Sequence, residues 1–233
     1  INAPILMLHH VSDDDRLIDL KPYCISKNSF LRLLRFLEEN NFVTKTFKDL
    51  ANVNPEPNAV MLTFDDCPKH LWDFAIAELL KRNMKATFFM PTEHIGGQNK
   101  WDISQGKPGV ELMSRKEIAE LHNIGMEVGS HGHEHCLLSS LTYAAALNDL
   151  TESSLILEGI TGKPPIAIAF PFGHPPKQRS QLLAAANFKY GVSIHAPIAT
   201  NTSLRRTIYH DGDTDYRLRL KLSSPYKLFR KSS

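Results

Sequence analysis

Cysteine is scarce in this chain. Only Cys24, Cys67 and Cys136 occur among 233 residues, an odd count with no Cys-x-x-Cys spacing. That pattern excludes a disulfide framework and a cysteine-built structural zinc site. Long apolar runs are missing too, and no stretch approaches the ~18–20 residues that span a bilayer. No charged-then-apolar leader opens the sequence, so no secretion signal is expected, although a trimmed leader would leave the same trace. A surplus of one charge is also absent. The net charge is +2, which gives no footing for a nucleic-acid partner. The one basic cluster, Lys227, Arg230 and Lys231, reads as a solvated terminus. There is no internal repeat and no low-complexity tract. What remains is the composition of a soluble globular protein, 42% hydrophobic and 22% charged, expected in the cytoplasm or the cell envelope.

Apolar runs of strand length alternate with segments of helical period. Ile5–Leu8 is the first strand. A helix follows near Ser29 to Asn40, with Phe30, Leu33, Leu34 and Leu37 on one face. Ala59–Thr63 is a strand, followed by a helix around Leu71 to Arg82, and Ala86–Met90 is another strand. Ser114 and Glu117 form a capping box that starts a helix to about Asn123, where Gly125 stops it. Then come a strand at Met126–Gly129 and a long helix from Thr142 to about Gly159. A strand at Ile166–Phe170, a helix at Gln178–Asn187 and a strand at Tyr190–Ile194 follow, and a last strand includes Thr207–Tyr209. Alternation of this kind implies a parallel sheet closed or nearly closed into a barrel. No composition break marks a second domain, so residues 1–233 are expected to form one. The stretch from Gly96-Gly97 to Gly109 is a long polar loop, a common place for function.

The ionisable residues collect where such a barrel places its chemistry, on loops leaving the C-terminal ends of strands. His9 and His10 follow the first strand, and Asp65-Asp66 follow the strand ending at Thr63-Phe64. His131, His133 and His135 follow Gly129, Pro171-Phe172-Gly173 follow Phe170, and His195 follows Ile194. The outer histidines of His131–His135 are four apart, which in a helical turn puts both rings on one side. Two imidazoles and a carboxylate make a ligand set for zinc or a similar divalent ion. Adjacent carboxylates after a buried strand are costly unless neutralised. In extended chain, neighbours point to opposite sides. One of the pair can then ligate an ion while the other faces a water.

Taken together, Thr63-Phe64-Asp65-Asp66, Ala86-Thr87-Phe88-Phe89, Gly129-Ser130-His131 through His135, and Phe170-Pro171-Phe172-Gly173 resemble the polysaccharide deacetylases with a NodB homology domain. The motifs stand in family order over nearly the whole chain. The resemblance implies an α/β fold, a deformed (β/α)7-type barrel of parallel strands with outer helices. It implies a divalent metal ion, zinc above others, on Asp66, His131 and His135, with Asp65 as general base. Leu6-Met7-Leu8-His9-His10-Val11 resembles the branch acting on surface polysaccharides such as poly-β-1,6-N-acetylglucosamine, in which an early histidine serves as the acid. That puts His9 in the acid role, with His195 as rival.

Three positions depart from the family pattern. Cys67 stands where glycine is usual. The Phe170–Gly173 motif has no arginine to orient the base, its neighbourhood being Ala169 and Phe170. The late Leu-x-His motif has no clear counterpart, and Ile194-His195 matches it poorly.

The implied activity is metal-dependent removal of N-acetyl groups from an amino-sugar glycan, an N-acetylated substrate bound near Pro171, Phe172, Gly173 and Trp101. Two competing readings are an enzyme for another amide (a formyl-amino sugar, a peptidoglycan unit or a cyclic imide) and a non-catalytic sugar-binding module. His70, His94, His122 and His210 read as surface or helix-face residues, and His133 as projecting away from the metal. Trp72 reads as core or rim.

Overall fold

Four residues of the first strand and seven of the second are buried without exception, as strands covered on both faces must be. In this computed structural model, which describes residues 3–50, 58–195 and 200–223, they belong to one parallel sheet. We label the strands of its main path β1 (Ile5–Leu8), β2 (Ala59–Asp65), β3 (Thr87–Met90), β4 (Glu127–Ser130), β5 (Ala167–Ala169), β6 (Tyr190–Ser193), β7 (Leu204–Arg205) and β8 (Thr207–Ile208), while a short strand, Val43–Thr44, pairs with the start of β2. The first six pair in sequence order. β7 pairs with β6, placing Leu204 beside Val192, and β8 pairs with β1, placing Thr207 beside Leu6. Only Arg206 separates β7 from β8. One bent strand therefore leaves one edge of the sheet and joins the other, and the barrel is nearly closed with seven strand positions. The sequence pattern anticipated only the second half of this strand.

Alternation sorts the strand residues into two cores. Ile5, Met61, Phe89, Ala167, Ala169, Val192 and Leu204 fill the barrel interior. Leu6, Leu62, Phe64, Phe88 and Val128 face the helices and pack with Phe30, Leu33, Leu34 and Leu37. Gly129 is needed where it stands, since a Cβ there would lie 2.6 Å from the ring of Phe89.

The surrounding helices are α1 (Lys27–Glu39), α2 (Ala75–Lys81), α3 (Arg115–Asn123), α4 (Tyr143–Thr161), α5 (Arg179–Ala185) and α6 (Asp215–Leu222). Their ends follow local chemistry. Ser26 and Thr142 cap α1 and α4, the Ser114–Glu117 capping box opens α3, and Gly162 closes α4 in the left-handed conformation. α2 begins later than expected because Lys69–Leu71 forms a separate 3-10 turn. The 96–109 loop contains one short helix, Lys100–Ile103. No helix among the described residues is long and apolar enough to cross a membrane. Lys227, Arg230 and Lys231 lie outside the described residues.

Candidate active site

The inward-facing rows of the barrel end, at the C-terminal rim, in ionisable side chains. Met61 and Thr63 lead to Asp65, Ile5 and Met7 lead to His9, and Leu204 leads to Arg206. Met7, His9, Asp65 and Arg206 line one cavity with Asp66, His131, His135, Trp101, Phe172 and Gly173.

β2 carries Asp65 to its last position and then breaks. Asp66 and Cys67 both have positive φ, +67° and +52°, conformations that cost an L-residue energy outside a functional turn. Asp66 is therefore not in extended chain, as the alternation argument assumed. The left-handed turn brings its carboxylate into the same cavity as that of Asp65. Cys67, buried and apolar in surroundings, packs into the helix-side core.

The histidine pair is likewise not helical. Residues 131–135 form a loop, with Gly132 and His135 at φ +76° and +52°. A buried carboxylate on α4 builds this loop. Asp149 accepts hydrogen bonds from the backbone N–H of His133 and of Glu134, both 2.9 Å. A Cβ on residue 132 would stand 2.9 Å from Asp149 Oδ1, so glycine there admits the carboxylate. His133 turns outward to Thr92 Oγ1, 2.9 Å away, as expected.

Asp66 Oδ1 lies 3.4 Å from His131 Nε2 and 3.3 Å from His135 Nε2. It is buried and accepts no hydrogen bond among the described residues. His131 Nδ1 bonds the Ala169 carbonyl at 2.7 Å, which fixes that nitrogen as donor and leaves Nε2 with its lone pair. The three ligand atoms lie within 4.8 Å of one another. An orphaned carboxylate oxygen facing two imidazole nitrogens is a donor set that fits a divalent cation. Burial lowers the pKa of both histidines, that of His135 to about 3, and raises that of Asp66. These shifts favour the neutral imidazole, the form able to ligate a metal.

Asp65 has a different partner. Arg206, 1% exposed, donates Nη1 to Oδ1 and Nη2 to Oδ2, each at 2.6 Å, and Nη1 also reaches Thr63 Oγ1 at 3.1 Å. Burial alone would raise the Asp65 pKa. The guanidinium overrides it and holds the carboxyl well below the usual range. This arginine is the functional residue that the sequence motifs missed. It comes from the far end of the chain rather than from the Phe170–Gly173 motif.

His9 Nε2 is 3.8 Å from Asp65 Oδ2, and its ring packs on Tyr23 at 4.6 Å. Burial lowers its pKa, with Asp65 and Asp66 pulling the other way. His10 stacks on His70 at 5.3 Å and also borders the cavity. His70 is thus not a plain surface residue, and its Nε2 is buried. His195 stacks on His174 at 4.2 Å and is not among the residues lining the cavity. Pro171 is buried while Phe172 is 46% exposed at the rim. Phe172 has φ +58°, and Gly173 fits because a Cβ would meet Ile194 at 2.2 Å. Trp101 stacks on His135, with ring centroids 3.8 Å apart. Trp72 packs against the helix-side core.

A family profile described as polysaccharide deacetylase matches residues 52–191. Poly-beta-1,6-N-acetyl-D-glucosamine N-deacetylase of Staphylococcus aureus (strain MSSA476) is 25% identical over 198 residues, covering 79% of this chain and 66% of that protein. The chain thus spans about two thirds of that relative's length. Among solved structures, the Streptococcus pyogenes deacetylase PplD in complex with acetate aligns with a TM-score of 0.80 at 21% identity, covering 96% of this chain and 99% of that one. IcaB from Ammonifex degensii aligns at 0.77 and 19% identity, covering 93% and 95%. At these identities the structural likeness shows the shared fold.

Proposed function

The chain belongs to the polysaccharide deacetylase family, and from that premise we propose that it hydrolyses N-acetyl groups on an amino-sugar glycan. One observation carries this reading. An empty-handed carboxylate oxygen and two imidazoles converge beside a second carboxylate gripped by a buried arginine. Pure binding of a sugar has no use for that second pair. Arg206 also removes the main support for a non-catalytic module, the missing arginine.

In this reading Asp66, His131 and His135 hold a divalent ion, and the nitrogen-rich donor set favours zinc. When bound, the ion polarises the acetamide carbonyl and acidifies water near pH 7. The chain's own groups do the rest. Asp65, kept ionised by Arg206, accepts a proton from the attacking water. The new C–O bond forms as charge collects on the carbonyl oxygen, and a backbone N–H of the Phe172 turn is the donor proposed for it. His9 gives a proton to the sugar nitrogen, and the C–N bond breaks to leave acetate and a free amine. Phe172 and Gly173, above the buried Pro171, form the wall that receives the glycan.

The test is release of acetate from β-1,6-linked N-acetylglucosamine oligomers, alongside N-formyl amino sugars and peptidoglycan fragments. Acetate release that stops with chelator and returns with zinc is expected. Formate as the sole product would move the chain to another amide. No product from any substrate, with one ion bound per chain, would favour the sugar-binding module.

A further inference from the structure

The two histidines of the metal site are held by different means. His131 is tied in the ordinary way, its Nδ1 bonded to the Ala169 carbonyl at 2.7 Å. Such partners on the far nitrogen fix ring orientation in metal sites. His135 has none. Its Nδ1 is buried and without a hydrogen-bond partner among the described residues. The residue stands at the end of an irregular loop with φ +52°. Its ring is instead enclosed by aromatic surfaces. Trp101 covers one side at 3.8 Å with an interplanar angle of 27°, and Phe172 meets it edge-on at 5.0 Å and 63°.

Trp101 is itself placed rigidly. Asn99 Oδ1 accepts from the Val110 N–H at 2.6 Å, while its Nδ2 donates to Asp102 Oδ2 and to the Pro108 carbonyl. Lys107 bonds the other oxygen of Asp102 at 3.0 Å. Ser104 and Gln105 both donate to the Trp101 carbonyl, and His94 packs against the indole edge at 5.1 Å. A loop pegged at so many points presents the indole at a fixed height and angle.

We propose that Trp101 is a positioning residue for His135: its stacked face does the work that a hydrogen bond does for His131, and the affinity of the site for its ion depends on it. The proposal rests on reading Asp66, His131 and His135 as the metal site. It changes the role expected for Trp101, since the face given to His135 is not free to stack on a sugar ring. A lost orienting partner in a metal site lowers affinity by about 10–100-fold, and a loss in that range is expected here.

The experiment measures Zn2+ affinity of the purified chain by competition with a chromophoric chelator, for the unaltered protein, Trp101→Ala and Trp101→Phe. Co2+ absorption spectra of each report the ligand geometry. Trp101→Ala should bind Zn2+ about 10-fold or more weakly and show an altered Co2+ spectrum. Trp101→Phe, which keeps a stacking face, should recover most of the affinity. If the Ala variant fails to fold, Trp101→Leu, which fills space without a ring face, takes its place under the same expectation. Unchanged Zn2+ affinity with a raised KM for glycan would overturn the proposal and make Trp101 a sugar platform. An unaltered protein that binds no Zn2+ or Co2+ would instead overturn the metal-site reading beneath it.

Discussion

Arg206 holds Asp65 with two parallel hydrogen bonds, Nη1 to Oδ1 and Nη2 to Oδ2, both 2.6 Å and both buried. A fork of this kind fixes the plane of the carboxylate as well as its charge. It leaves lone pairs on Oδ2, which stands 3.8 Å from His9 and 3.9 Å from His131. Arg206→Ala strands a buried carboxylate, so it should cost about 3–5 kcal/mol of stability as well as activity. Arg206→Lys keeps a charge but loses the fork, so turnover should fall further than stability does. Asp65→Asn should keep the metal and lose a factor of ~10² or more in turnover, as for removal of a general base. Loss of the metal with Asp65→Asn would make Asp65 a ligand instead.

Asp149 shapes the ligand loop from a distance. Its two oxygens take the N–H groups of His133 and Glu134, between His131 and His135. In Asp149→Ala both donors lose their partner, at roughly 1–3 kcal/mol for each group left unsatisfied. Zinc affinity should fall together with melting temperature. Asp149→Asn retains one acceptor and should fall between the two. Isothermal titration with Zn2+ alongside thermal melts separates this from simple unfolding. An Ala variant that melts lower but binds zinc unchanged would limit Asp149 to a structural part.

At the opposite end of the barrel, Glu127 is 1% exposed. Oε2 accepts from the Lys48 N–H and Thr87 Oγ1, each at 3.3 Å, and Oε1 has no partner among the described residues. Burial raises its pKa. The sign follows from linkage. A carboxyl whose folded pKa exceeds its unfolded value costs nothing while both states are protonated. It destabilises the fold as pH rises above the unfolded value of about 4.3. Glu127→Gln should therefore melt higher than the natural protein at pH 7, with the gap closing as pH falls toward 4. Each 1 kcal/mol gained moves the midpoint by roughly 2–4 °C at this size. A Gln variant that melts lower at pH 7 would show that the charged form is favoured by contacts with the 46–48 turn.

Much of this arrangement was legible because strands alternate. Once Met61 and Thr63 face inward, Asp65 must as well, and the same count runs from Ile5 to His9. The capping box at Ser114 and the glycine stop at Gly162 were equally readable, being local. What escaped the sequence had no period to show it. β7 and β8 are two residues each, too short to display alternation, so nothing in the sequence marked Arg206 between them. Asp149 sits in a long helix where an acidic residue normally faces water. α6 alternates Tyr216, Leu218, Leu220 and Leu222 with charges, a strand-like pattern, yet it buries Leu218, Lys221 and Leu222 at helical spacing. The motif residues 65, 66, 131 and 135 were found by order and identity. Their convergence depends on left-handed turns at Asp66 and His135 that neither extended nor helical geometry would have produced.

The acid is the last role to assign, and geometry separates the two candidates. His9 is on the inward row of β1, lines the cavity, and has Nε2 3.8 Å from Asp65 Oδ2. His195 is stacked on His174 and is absent from the cavity wall. An acid must reach the leaving nitrogen on the side of the carbonyl carbon away from the attacking water, which requires a side chain in the cavity itself. Only His9 of the pair meets that condition. His9→Ala at full metal occupancy should lose most amide hydrolysis and the alkaline limb of its pH–rate profile. The loss should be smaller on an acetate ester with a nitrophenol leaving group, which departs without a proton. His195→Ala should stay near the natural rate on both substrates. A metal-loaded His195→Ala that is inactive on the amide, beside a His9→Ala of near-normal rate, would transfer the role to His195. Equal losses on ester and amide in His9→Ala would instead mean that His9 acts before the C–N bond breaks, by steadying Asp65 against the attacking water.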